Sequence, residues 1–135
     1  MENSLHHLLM TDHTAFHKRI FSALKKEGLT SGQPKVLEYL SKHDGARQKD
    51  IAAACRIEPA TITSLLCGME KKELITRYAP DRRSFCVYLT EKGKALVPLI
   101  EKEFLRIEDK ATSGFSEREK EMLIDLLSRI SVNLG

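Results

Sequence analysis

The stretch Arg77–Thr90, "RYAPDRRSFCVYLT", decides the fold, because it combines a strand pattern with a strongly basic turn. Apolar and other residues alternate along its second half with the period of a half-buried strand: Phe85, Val87 and Leu89, with Cys86 and Tyr88 between them. Residues 74–79 can pair with this strand. We therefore predict a β-hairpin with "PDRRS" at its tip. In this tip an aspartate is followed by two adjacent arginines, which is more positive charge than a surface turn needs. We therefore predict a negatively charged partner.

The stretch before the hairpin, "IEPATITSLLCGMEKKELI" (residues 57–75), predicts an amphipathic helix that begins near Pro59. Its apolar side chains lie on one side at about 100° per residue. These residues are Ile62, Leu65, Leu66 and Met69. The opposite side is small and polar: Ala60, Thr63, Ser64, Cys67, Gly68 and Lys71. Ser, Thr and Gly weaken a helix, so we interpret this face as one that a partner approaches closely. A plain solvated surface is the alternative.

Two longer helices are predicted toward the N-terminus. Apolar residues recur at helical spacing over residues 5–24, and Gly28 ends this first helix. Thr30 and Gln33 have the spacing of a capping box, which predicts that they open a second helix running to about Lys42.

A short third helix is predicted in "RQKDIAAACRI" (residues 47–57), after a turn at Asp44 and Gly45. Arg47 is its expected N-cap, and Ile51 and Cys55 form its inner face. The chain thus places a short helix directly before the small-faced helix.

Two further helices are predicted after the hairpin. Thr90 caps a long one, in which Pro98 lies beyond the first turn and is expected to kink the axis. Ser116 and Glu119 form a capping box that opens the last helix. One face of that helix is apolar: Leu123, Leu126, Leu127 and Ile130.

Composition indicates one ordinary globular domain. The chain has 135 residues, of which 41% are hydrophobic and 30% are charged. No apolar run reaches the roughly 20 residues that span a bilayer, so we expect a cytoplasmic protein with no membrane contact. The three cysteines show no disulfide or zinc-ribbon spacing, which predicts reduced thiols.

The positive charge is concentrated in the middle of the chain. Residues 46–94 hold ten Lys or Arg against six Asp or Glu, whereas the remainder holds twelve against thirteen. A localised basic segment favours an anionic partner, although an excess this small also fits a solvated face.

The order of elements predicts a mainly α protein with a small β-hairpin wing, that is, a winged helix-turn-helix. A helix fits the major groove of B-DNA, and small side chains let its backbone come near the base edges. The hairpin then reaches the adjacent minor groove, whose negative potential favours arginine. Double-stranded DNA is therefore the expected partner.

Three stretches resemble the MarR family, the multiple antibiotic resistance regulators. They are "LTSGQPKVLEYL", "QKDIAAACRIEPATITSLLCGMEKKELITRYAPDRRSFCVYLTEKGKAL" and "FSEREKEMLIDLLSRI". The resemblance implies one domain, with residues 29–90 as the winged helix-turn-helix and residues 1–28 and 91–135 as dimerisation helices. It also implies a homodimeric regulator, in most cases a repressor that a small ligand, an oxidant or a metal releases from DNA.

Site residues follow from the patterns and from the resemblance together. The D-x-R of the family's wing matches Asp81 and Arg83, the arginine entering the minor groove and the aspartate bracing it. The full set of expected DNA contacts is Ala60, Thr61, Thr63, Ser64, Cys67, Lys71, Arg77, Asp81, Arg82 and Arg83. The chain departs from the family where Ser64 and Gly68 occupy positions that are often basic, and where Glu73 replaces a glycine, which predicts a strained or differently angled hairpin entry.

The terminal segments carry more leucine than packing on one small domain requires, which predicts a dimer seam. Its residues are Leu5, Leu8, Leu9, Leu123, Leu127, Ile130 and Leu134. Two sensors are weaker hypotheses beside structural interpretations of the same residues. Cys67 with Lys71 one turn later suggests a reactive thiol, and His13 with His17 has a spacing that suits one metal ion.

Enzymatic function has little support, because the sequence has no G-x-S-x-G, no H-E-x-x-H and no phosphate-binding glycine loop. We expect no cofactor and no resident metal. The alternative to a DNA-binding regulator is a winged-helix module that uses its wing arginines to bind an acidic protein surface.

Overall fold

The structure is a computed structural model that describes residues 3–81 and 84–135. Within these residues the helices are α1 Leu5–Leu24, α2 Gln33–Lys42, α3 Gln48–Ala54, α4 Pro59–Lys71, α5 Glu91–Ala111 and α6 Glu117–Leu134. The strands are β1 Ala46–Arg47, β2 Ile75–Tyr78 and β3 Cys86–Leu89. The predicted fold class, mainly α with a small β-hairpin, is confirmed.

Side-chain caps begin α5 and α6 as the sequence predicts. Thr90 Oγ1 accepts a hydrogen bond of 3.0 Å from the backbone N–H of Gly93. Ser116 and Glu119 form a complete capping box, in which each side chain accepts from the other residue's backbone N–H. These bonds lower the pKa of Glu119. The helix α5 runs without interruption through Pro98, and the kink expected there stays a prediction.

The start of α2 differs from the expected capping box. Gln33 Oε1 accepts from the backbone N–H of Thr30 at 3.1 Å, but the N-cap is Gly32 and no side chain caps the helix. Gly32 has a φ of 87°, a left-handed conformation that glycine adopts without steric cost. The helix therefore begins after this turn, and only half of the box forms.

The core lies between α2, the C-terminal half of the hairpin and α5. The helix α5 packs against both α2 and α1, and α4 packs against α3 and β2. The inner side of each element supplies the buried side chains: Leu24, Val36, Leu37, Leu40, Ile51, Leu66, Met69, Leu74, Ile75, Val87 and Ile100. Cys55 is also buried, as its predicted packing role requires.

The sheet has three antiparallel strands in the order β1-β3-β2. The predicted hairpin pairs Ile75 with Leu89 and Tyr78 with Cys86. The sequence analysis missed β1, because two residues are too short to show an alternating pattern. Phe85 was expected on the inner face of the strand, but it precedes β3 and its side chain is 41% exposed. Val87 and Leu89 are buried, as predicted.

The entry to the hairpin is left-handed. Glu73 has a φ of 61°, a conformation that disfavours side chains with a Cβ atom. Thr90 Oγ1 donates to the Glu73 carbonyl at 2.6 Å, and the N–H of Thr90 donates to the Leu74 carbonyl at 3.1 Å. The strained entry expected from the replaced glycine is therefore present, and Thr90 holds it against the start of α5.

The terminal helices leave their apolar faces uncovered. The helix α6, which lies wholly within the described residues, has no buried side chain. All of the leucines expected in the dimer seam are exposed, and Ile130 is half-buried. Within residues 3–81 and 84–135, no helix has the length and apolar character that crossing a membrane requires.

Candidate nucleic-acid interface

The outer face of α4 presents small polar side chains, as predicted. Ala60, Thr61, Thr63, Ser64 and Lys71 are exposed. On the opposite face, Ile62, Leu66 and Met69 are buried. Short side chains on this face leave the helix backbone accessible to a surface as close-fitting as the major groove.

Two hydroxyl groups on this face have fixed hydrogen-bonding roles. Gln48, the first residue of α3, donates from Nε2 to Thr63 Oγ1 at 2.8 Å. Ser64 Oγ donates to the Thr61 carbonyl at 3.1 Å. Thr63 therefore keeps its hydroxyl proton for an external acceptor, whereas Ser64 keeps lone pairs for an external donor. The sequence analysis missed Gln48, since nothing in the pattern of α3 relates it to a residue on the next helix.

Gly68 does not lie on the open face, contrary to the prediction. A Cβ atom at this position would lie 3.5 Å from Gln33 Nε2 of α2, so Gly68 faces a neighbouring helix. Lys72 Nζ donates to the Gly28 carbonyl and to Gln33 Oε1, which ties the end of α4 to the turn before α2. The absence of a basic side chain at Gly68 thus matches a helix contact and carries no information about DNA.

Arg77 is turned toward α4, although the sequence predicts a DNA contact. Its Nη2 donates to Glu70 Oε1 at 3.1 Å and to Cys67 Sγ at 3.3 Å. Its guanidinium carbon lies 5.1 Å from the centre of the Phe85 ring, and only 14% of the side chain is exposed. The hydrogen bond to Glu70 raises the pKa of Arg77, while burial acts in the opposite direction.

The hairpin tip is organised around Asp81, which is exposed. Asp81 Oδ1 accepts from the backbone N–H of Ser84 at 3.2 Å and from Ser84 Oγ at 3.4 Å. Such bonds mimic a backbone turn and hold its ends together. The predicted contacts of Arg82 and Arg83 lie outside the described residues.

The candidate sensor residues differ in their surroundings. Cys67 is half-buried and contacts Arg77 rather than showing a bond to Lys71. The rings of His13 and His17 lie 6.1 Å apart, and His17 Nε2 is 3.0 Å from Ser31 Oγ. Across the described residues, no cluster of three metal-ligating side chains occurs. Burial raises the pKa of the Cys55 thiol, which disfavours its reactive thiolate.

A groove between α1 and α5 lies away from α4 and the hairpin. It has a volume of about 700 Å³ and is bordered by four basic side chains, namely Lys18, Arg19, Arg106 and Lys110. Arg106 also binds Glu103 at 2.6 Å. The remaining basic groups favour an anionic occupant over a neutral one.

Comparison with known proteins gives consistent matches to one protein family. The sequence model of the MarR family matches residues 29–85. The HTH-type transcriptional regulator BilQ of Clostridium symbiosum is 30% identical over 121 residues, which cover 88% of this chain and 82% of that protein. The structure is similar to MepR of S. aureus in a DNA complex, with 28% identity, 99% of both chains covered and a TM-score of 0.87. It is also similar to a MarR-family regulator of Listeria monocytogenes bound to a 26mer DNA, with 25% identity, 98% and 89% of the two chains covered and a TM-score of 0.91.

Proposed function

The chain belongs to the MarR family of DNA-binding transcriptional regulators, and on that premise we propose that it is a dimeric repressor of a pseudo-palindromic operator. The observation that carries the proposal is the exposed, small-faced α4 with a β-hairpin beside it, whose Arg77 hydrogen-bonds to Glu70 of the helix. The DNA complexes of the similar MepR and Listeria proteins support double-stranded DNA as the partner. Because the proposed partner is double-stranded DNA, we expect the protein to act in the cytoplasm. BilQ is named as a transcriptional regulator, in line with a function that is not enzymatic.

The proposed contacts fall in two adjacent grooves. The outer face of α4 enters the major groove, about 12 Å wide, with Thr63 donating to an acceptor and Ser64 accepting from a donor. Lys71 is exposed at the end of the helix, where it reaches the phosphate backbone. The hairpin tip enters the minor groove, with Arg82 and Arg83 as its cations and Asp81 holding the turn.

The proposed dimer is formed by the ends of α1 and by α6. A two-fold axis between two copies repeats the α4 surface, so the operator is expected to hold two inverted half-sites. Those half-sites lie about one helical turn, or 34–36 Å, apart.

We also propose that an effector releases this dimer from its operator. The basic groove between α1 and α5 supports an anionic small molecule as the effector. Oxidation of Cys67 is the second candidate, because a larger group there would displace Arg77 and intrude on the outer face of α4. His13 and His17 are the weakest candidates, since the described residues provide no third ligand.

Selection of bound sequences from random double-stranded DNA tests the function. The expected result is a recovered palindrome whose affinity falls steeply as salt is raised, because Lys and Arg displace counterions from phosphates. Recovery of no preferred sequence, with binding instead to acidic proteins, would overturn the proposal in favour of a protein-binding winged helix. Repressor activity is tested by placing the recovered palindrome in a promoter and measuring transcription with and without the protein.

A further inference from the structure

Arg77 occupies an inward position of the hairpin that an apolar residue would normally fill. It pairs with Val87 across β2 and β3, and paired residues of antiparallel strands share a face. Val87 is fully buried, and Ile75, two residues before Arg77 on the same strand, is also buried. The guanidinium is therefore directed into the junction between the hairpin and α4, and only 14% of the side chain is exposed.

A single guanidinium connects three segments at this junction. Arg77 belongs to β2, its hydrogen-bond acceptors Glu70 and Cys67 belong to α4, and the ring it faces belongs to Phe85, just before β3. Arginine suits this role because its planar fork hydrogen-bonds at the edge and stacks on an aromatic ring through its face. Both strands of the hairpin are thereby tied to the helix.

Glu70 occupies an unfavourable place for a DNA-binding helix. At about 100° per residue, Glu70 falls within about 60° of Thr63 and Cys67, at the edge of the face that points to the proposed groove. A carboxylate there repels phosphates, so its presence needs a compensating role. The ion pair with Arg77, at 3.1 Å, supplies that role and neutralises the charge.

We propose that Arg77 is a positioning residue, which together with Glu70 sets the distance and angle between the wing and the recognition helix α4 and does not itself bind a phosphate. The proposal rests on the proposed DNA-binding function and assigns a different task to a residue that its charge alone would place on the DNA. Operator affinity then depends on Arg77 through geometry, because the tip reaches the minor groove only when the hairpin is held at the correct angle.

Titrations of the selected operator at several salt concentrations test the proposal with four variants. We expect Glu70→Gln, Arg77→Lys and Arg77→Gln each to raise Kd by about fivefold or more, and the double variant Glu70→Gln/Arg77→Gln to bind no more weakly than Arg77→Gln, because the two residues act as one unit. The salt dependence should stay that of the wild type. In the matched control Lys71→Gln, an exposed cation on the same helix, the slope of log Kd against log salt should fall by about 0.9.

The opposite results are equally specific. Tighter binding by Glu70→Gln would show that the carboxylate only repels DNA, and a slope lowered by about 0.9 in Arg77→Gln would show a phosphate contact. Wild-type affinity in Arg77→Lys would also overturn the proposal, because the ammonium group keeps the charge and loses the fork.

A measurement without DNA separates failure of this proposal from failure of the proposed function. Hydrogen–deuterium exchange of the β2 and β3 amides should be faster in Glu70→Gln than in the wild type, and exchange in α6 should be unchanged. Unchanged exchange in the hairpin would overturn the positioning role even if the wild type bound no DNA. Glu70→Gln preserves side-chain size, so it supplies this result even if Arg77→Gln does not fold.

Discussion

Asp81, at the hairpin tip, hydrogen-bonds to Ser84 but adds no electrostatic attraction for DNA. Its carboxylate accepts both the backbone N–H and the hydroxyl of Ser84, which ties these two residues together. A negative charge at the tip of a DNA-binding hairpin opposes binding in purely electrostatic terms. We therefore infer that its role is to hold the neighbouring arginines in place, as the resemblance to the family's wing implies.

Substitutions at the tip separate these two effects by their sign. Arg83→Ala should weaken operator binding by about 1–3 kcal/mol and make its salt dependence shallower. Asp81→Ala should weaken binding as well, although it removes negative charge, because the turn loses its acceptor. Titration of the operator with each variant measures both effects.

The control for this pair is Asp81→Asn, which keeps an acceptor oxygen for Ser84 and removes the charge. It should bind more tightly than Asp81→Ala. Tighter binding by Asp81→Ala than by the wild type would contradict the bracing role, and so would unchanged binding by a folded Arg83→Ala protein.

The type of a single residue predicts its contacts less well than the pattern of a segment predicts its secondary structure. Arg77 belongs to the basic stretch that is expected to contact DNA, but the structure turns it toward Glu70, which lies seven residues earlier on another element. Gln48 reaches Thr63, which lies fifteen residues later on the next helix. Contacts of this kind depend on how two elements pack, so neither periodicity nor composition reveals them.

At the scale of the elements, α5 and the hairpin approach each other closely at Gly93. A Cβ atom on Gly93 would lie 2.2 Å from the Leu74 carbonyl oxygen and 3.3 Å from Leu89 Cδ2. The first distance is far below van der Waals contact with a backbone atom. The start of α5 can approach the hairpin only because this residue has no side chain.

Gly93→Ala should therefore lower the free energy of unfolding by about 2 kcal/mol or more, because α5 or the hairpin must shift to admit the methyl group. Denaturant unfolding followed by circular dichroism measures the loss. Lys94→Ala, at the next and exposed position, is the control and should change stability by no more than about 0.5 kcal/mol. Equal stability of the two variants would mean that the junction is looser than the structure indicates.

Most elements could be predicted because their signals are local. Helical periodicity and the caps at Thr90 and Ser116 identified α5 and α6, and Pro59 identified the start of α4. The two features that the sequence did not predict correctly, β1 and the start of α2, also have a physical explanation. Two residues are too few for β1 to show a period, and the left-handed Gly32 displaced the start of α2 from the expected cap.

At the scale of the whole molecule, α6 is the helix that buries least of its surface on its own chain, since none of its side chains is buried. Helices in proteins gain most of their stability by packing an amphipathic face against other elements. Leu123 and Leu127 are 37% and 38% exposed, and Leu134 is 83% exposed. A second copy that covers this face together with Leu5, Leu8 and Leu9 would supply the missing burial.

Sedimentation velocity should accordingly show a dimer at micromolar concentration. Leu127→Glu should shift the protein toward a monomer, because a charged side chain in an apolar interface loses its hydration. Arg129→Glu, which introduces the same side chain about 200° away around the helix, should leave the dimer intact. A monomeric wild type, or equal dissociation of the two variants, would contradict the seam.

The short connection between β3 and α5 couples the position of the hairpin to the orientation of α5. Only Thr90 separates the strand from the helix, and α5 extends for 21 residues beyond it. At 1.5 Å per residue this helix is about 31 Å long, so a rotation of about 5° at one end displaces the other by about 2.7 Å. If both arms of the proposed two-fold dimer swung in this way, the separation of the wing tips would change by about 5 Å, more than the rise of about 3.4 Å between base pairs. A rotation of only a few degrees in α5 would therefore suffice to move both wings out of register with the DNA grooves.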